Sequence, residues 1–105
     1  MNLREALARA IRIARKNQGL SQEDFVVVSS RTYMSALERG LKSPTVDKLD
    51  QLGHAMGVSA AAVLCLAYGL LDRRNPEARI EAIAAEAARL FAEYKASPEY
   101  RRRAK

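Results

Sequence analysis

Three adjacent valines, Val26 to Val28, run into Ser29-Ser30 in the middle of SQEDFVVVSSRTYMSALERG, residues 21–40. β-branched side chains lose χ1 freedom in a helix and favour strands. A strand needs a partner, however, and no other stretch of the chain has the alternation of two that a second strand would bring. The valines therefore read as the end of a short helix that starts at Gln22, with Ser21 as N-cap and Glu23 and Asp24 in a first turn where acids complement the helix dipole. Ser29 and Ser30 are favoured caps for a further helix, on which Met34, Leu37 and Leu41 share a face before the stop signal Gly40. Two short helices around a tight corner follow from these residues.

Helical periodicity continues on both sides. Leu3, Leu7, Ala10, Ile11 and Ala14 recur at intervals of three and four, with arginines opposite and Gly19 just beyond. Ser43-Pro44 predicts a cap followed by proline at the first helical position, with Val46, Leu49, Leu52 and Met56 carrying the stripe to Gly57. Ser59 caps a helix from Ala60 to about Leu71 that is apolar on nearly every side, and so is expected to be hidden all round by its own core or by a second subunit. Asn75-Pro76 opens a helix with Ile80, Ile83, Ala87, Leu90, Phe91 and Tyr94 on one face, and Ser97-Pro98 ends it. The fold class predicted is all-α.

The 105 residues hold one cysteine and one histidine, Cys65 and His54, which rules out an internal disulfide and a zinc site made by one chain. No cofactor is expected. His54 has no acid, serine or cysteine at a catalytic spacing and should be exposed; Cys65 reads as a small core or interface residue. With no phosphate loop or nucleophile elbow, an enzyme is not expected. Arg4, Arg9, Arg12, Arg15 and Lys16 leave no apolar core for a signal peptide, and Gly53, His54, Gly57 and Ser59 interrupt the longest uncharged run, so a cytoplasmic protein is expected. The net charge of +6 is concentrated at the ends. Residues 1–42 carry eight basic against four acidic side chains, and the tail EYRRRAK, residues 99–105, carries +3. Such asymmetry favours a polyanionic partner.

The succession GLSQED at Gly19 to Asp24, LERG at Leu37 to Gly40, the SPT that follows, and MGVS at Met56 to Ser59 closely resembles the Cro and lambdoid-repressor type (XRE) helix-turn-helix family. The resemblance covers roughly residues 3–68. It implies a compact five-helix, lambda-repressor-like DNA-binding domain over residues 1–71, with an additional C-terminal helix and basic tail over 72–105. One departure stands out: the corner is two residues shorter than the family pattern and has Val27-Val28-Ser29 where a glycine is usual.

The resemblance also implies roles for single residues. The helix 31–39 would enter the major groove, with Arg31, Thr32, Ser35 and Ala36 at the base edges, on a face opposite Met34 and Leu37 that carries no acid. Gln22, Tyr33, Arg39 and Lys42 would contact phosphates and set the register. Glu38 would pair with Arg15 and tie the first helix to the recognition helix, because a charge so close to the inward face needs a partner. The partners expected are double-stranded operator DNA and a second copy of the chain, giving a homodimeric repressor. Two alternatives stay open: an antitoxin-like regulator that binds another protein through residues 76–96, and an interaction module without DNA binding. The tail is expected to be a disordered, solvated end.

Overall fold

The computed structural model describes residues 1–25 and 27–103. Val26 and the last two residues of the tail lie outside the described residues. Six α-helices follow one another: α1 (Leu3–Asn17), α2 (Arg31–Glu38), α3 (Val46–Met56), α4 (Ala60–Leu71), α5 (Pro76–Lys95) and α6 (Pro98–Arg103). A 3-10 turn, Gln22–Phe25, stands between α1 and α2, and there is no strand among the described residues. The fold is all-α.

Ile11, Phe25, Met34, Leu37, Leu52, Met56 and Val63 fill the centre, each removed from water almost completely. Burying a side chain of this kind stabilises by about 1.5–3 kcal/mol relative to leaving it exposed. α1 packs along α4, and α2 lies across α1. The step from α3 to α4 turns the chain by 102°. That sharp bend depends on Gly53, because a Cβ there would sit 2.6 Å from the Val58 carbonyl oxygen and 3.2 Å from the Ala60 amide. Gly57 closes α3 at φ +73°, in the left-handed region that glycine occupies without strain. No single helix among the described residues is long and apolar enough to cross a membrane, although the bent α3–α4 pair has the length and composition to do so.

The caps at Ser30, Ser59 and Asn75 each accept a hydrogen bond from the amide three residues on, at 3.0 Å. Elsewhere the local expectations change. The segment after Ser21 is a single 3-10 turn instead of an α-helix. The Ser21 amide and hydroxyl both donate to Asp24 Oδ2, at 2.7 and 3.2 Å, so Asp24 serves as the acceptor where Ser21 was expected to. The cap of α3 is Thr45, not Ser43, and Pro44 precedes the helix. Val46 and Leu41 project into solvent instead of joining the core stripe. α4 is not hidden all round within one chain: α1, α3 and α5 pack on it and Val63, Ala67 and Gly69 are buried, but Cys65 is half-buried and Ala61, Ala62 and Tyr68 are exposed. The described part of the tail is ordered helix, not a loose end. The Ser97 hydroxyl accepts from the Tyr100 amide at 3.2 Å, and the Tyr100 ring meets Phe91 and Tyr94 edge-on at 6.1 and 5.3 Å between centroids.

Candidate nucleic-acid interface

α2 has only eight residues, so its position must come from its neighbours. Arg15 on α1 supplies the main fastening. Its Nε donates to Glu38 Oε2 at 2.6 Å and its Nη2 to Oε1 at 2.8 Å, while Nη1 donates to the Leu20 carbonyl at 2.8 Å. The two side chains keep only 10% and 4% of their surface exposed. Its hydrogen bond to the Glu38 carboxylate holds the guanidinium above its ordinary pKa, with burial pulling the other way. A paired bidentate geometry of this kind compensates charges that would be costly alone. Gln22 adds a third member, donating from Nε2 to Glu38 Oε1 at 3.2 Å. One carboxylate thus joins α1, the 3-10 turn and α2.

With α2 held in this way, Gln22, Arg31, Thr32, Ser35 and Arg39 line one shallow hollow. Arg31 and Thr32 are exposed, Ser35 is half-buried, and Arg39 follows the helix with its Nε 3.4 Å from the Ser35 carbonyl. Ala36 does not belong to this face. It is only 8% exposed and turned inward, because α2 is covered on two sides where periodicity alone indicates one. Arg31 Nη1 lies 3.1 Å from Glu23 Oε1, and both side chains keep most of their area in solvent. Arg39 and Lys42 have no acidic partner among the described residues. Arg9 and Arg12 of α1 stand with Arg39 around a second polar hollow, which Glu5 and Glu38 also line.

Tyr33 is half-buried, with Lys42 Nζ 5.7 Å and Lys48 Nζ 5.5 Å from its ring centroid, within the range of cation–π attraction. Lys48 also donates to the Val28 carbonyl. The shortened corner therefore has its free carbonyl satisfied by a side chain from α3.

A helix-turn-helix family model matches residues 11–63. The chain belongs to the XRE-type helix-turn-helix family. It is a DNA-binding transcriptional regulator. An HTH-type transcriptional regulator of Sinorhizobium fredii, y4dJ, is 39% identical over 61 residues, which span 56% of this chain and 79% of that protein. Among solved structures, the clp gene regulator ClgR of Corynebacterium glutamicum superposes with a TM-score of 0.65 at 36% identity, over 70% of this chain and 99% of that one. A transcription factor of Neisseria, NHTF, gives 0.55 at 35% identity over 60% and 75%.

The corner is fastened from a distant element. Nothing about Lys48 in the sequence marks it as the residue that closes the turn, since it lies 20 positions from Val28 and looks like an ordinary solvated lysine. Glu23 was readable only as a helix-dipole partner; its approach to Arg31 depends on how the corner folds. His54 is exposed and lies 3.6 Å from Asp50 on the same helix, away from this face.

Proposed function

We propose that this regulator acts as a repressor, binding a two-fold symmetric operator as a homodimer with α2 in the major groove. Arg31, Thr32 and Ser35 face the bases, and Gln22, Tyr33, Arg39 and Lys42 take phosphates. The observation that carries this reading is the single hollow formed by Gln22, Arg31, Thr32, Ser35 and Arg39, where donors from two elements converge beside the first turn of α2. Arginine grips guanine O6 and N7 together, a contact worth about 1–3 kcal/mol of discrimination, and a threonine methyl suits the thymine methyl. Gln22 keeps a second Nε2 hydrogen for a phosphate while the first holds Glu38. Residues 1–71 then carry DNA binding in the cytoplasm, and residues 72–105 serve assembly.

The second copy is supported by α5, which buries none of its residues and leaves Leu90 and Phe91 more than half exposed. The same face would also suit a different protein partner. Selection from a randomised duplex pool at near-physiological salt, where non-specific attraction is weakened, tests the reading. An enriched palindrome with half-sites about 34–36 Å apart is the expected result for a dimeric helix-turn-helix protein. Absence of any enriched sequence would sink it.

A further inference from the structure

We propose that Glu23 is a specificity-determining residue that holds Arg31 for base reading and keeps phosphate away from it, an inference that rests on the placement of α2 in the major groove. Arg31 occupies the first turn of α2, where the partial positive charge of the helix N-terminus disfavours a cation, and that turn contains no acid of its own. Glu23 supplies the missing charge from the neighbouring 3-10 turn, with 3.1 Å between Glu23 Oε1 and Arg31 Nη1. Both side chains keep about two-thirds of their surface in water, at 68% and 71%. The pair therefore faces outward beside the hollow formed by Gln22, Thr32, Ser35 and Arg39.

The chemistry of the two possible ligands separates them. A guanidinium has five N–H donors, and an ion-pair contact at one Nη with a carboxylate leaves a pair free for guanine O6 and N7, which are neutral acceptors. A phosphate reaching for the same donors would approach the Glu23 carboxylate, and like charges at short range repel. Arg39 and Lys42 have no carboxylate within ion-pair distance among the described residues, although Glu5 and Glu38 line the hollow next to Arg39, and this leaves their donors open to phosphate. Glu38 is committed to Arg15 and Gln22. Glu23 thus sets Arg31 apart from Arg39 and Lys42, the other basic groups proposed to meet DNA.

The test compares the full chain with Glu23→Gln, Arg31→Ala and the double variant on the site selected by the native protein and on an unrelated duplex, over a range of salt. Arg31→Ala should relax preference at one base pair by roughly tenfold, the scale of a lost bidentate contact. Glu23→Gln should tighten binding to the unrelated duplex about threefold or more and steepen the salt dependence by about one counterion. It should also reduce preference at the base pair that Arg31→Ala relaxes, and in the double variant it should add nothing there. If Arg31→Ala relaxes that base pair while Glu23→Gln leaves both preference and salt slope as they were, the role of Glu23 is refuted and the reading of α2 stands. If Arg31→Ala relaxes no base pair, both fall.

Discussion

α1 to α4 enclose Ile11, Met34, Leu37 and Leu52 at 1% exposure or less, whereas α5, the longest helix at 20 residues, buries none of its own. The first region is held from several directions: α1 on α4, α2 on α1, α3 on α4, and one carboxylate spanning three elements. The second is held along one edge by α4, with Ile80 seated against Gly69 and Arg79 5.9 Å from the Tyr68 ring centroid. The radius of gyration records the same contrast, at 16.2 Å where a chain of about 100 residues packed into one ball gives about 13 Å. α5 thus adds no fully buried side chain to the core that α1 to α4 enclose.

The largest effect should come from breaking the charge pair inside the first region. Glu38→Ala leaves Arg15 buried without its carboxylate and is expected to lower unfolding stability by about 3–5 kcal/mol in a denaturant titration. A cost under about 1 kcal/mol would mean that α2 is held by packing alone. Added methyl groups come next and should separate the two regions. Gly53→Ala drives Cβ against backbone at the α3–α4 bend and should cost about 1–3 kcal/mol of global stability. Gly69→Ala meets mainly a side chain, with Ile80 Cδ1 at 2.9 Å and Cγ1 at 3.0 Å and the Pro76 carbonyl oxygen farther off at 3.3 Å. It should cost about 1 kcal/mol at most and speed amide exchange in α5 while α1 to α3 stay protected. Equal acceleration of exchange in α5 and in α1 to α3 would contradict the contrast.

On the exposed face of α5, Phe91→Ser should change the stability of a single chain by no more than about 0.5 kcal/mol, as for surface substitutions generally. Sedimentation should nevertheless report a shift from dimer to monomer; an unchanged dimer would move the second copy to another face. The smallest effect is acidic. Asp72 ends α4 and accepts hydrogen bonds from the amides of Asn75 and Arg74, at 2.9 Å each, which hold its carboxyl below the ordinary value of 3.8. Because the folded carboxylate binds a proton less readily, its contribution to the α4–α5 joint is present above about pH 3.8 and fades as pH falls through the lower folded value. The amides of Arg74 and Asn75, followed by NMR during acid titration, should move only at that lower pH.

Features governed by short range were legible in the residues. Ser30, Ser59 and Asn75 cap helices because the side chain and the amide it accepts from are three residues apart, and periodicity marked Ile11, Met34, Leu37 and Leu52 as core. The misses arise where a distant element decides. Ala36 turns inward because α2 is covered on a second side, which an eight-residue pattern does not encode. Thr45 displaces Ser43 as the cap of α3 because the chain stays extended through Pro44, and a serine two residues too early cannot reach the orphan amides. The 3-10 form of Gln22–Phe25 reflects how few residues precede the turn at Val27 and Val28. The Lys48 bond to Val28 had no local signature at all.

The buried and exposed sides of α2 have separate evolutionary freedom. Met34, Leu37 and Glu38 fix where the helix lies, and none of them faces the hollow in which Arg31, Thr32 and Ser35 stand. If those outward residues read bases as proposed, exchanging them would change what is recognised without touching the fastening, so new target sequences would need a few substitutions while the scaffold is inherited whole. The converse transplant is not open: α2 moved into a host without an arginine in the place of Arg15 would carry its chemistry but lose its aim.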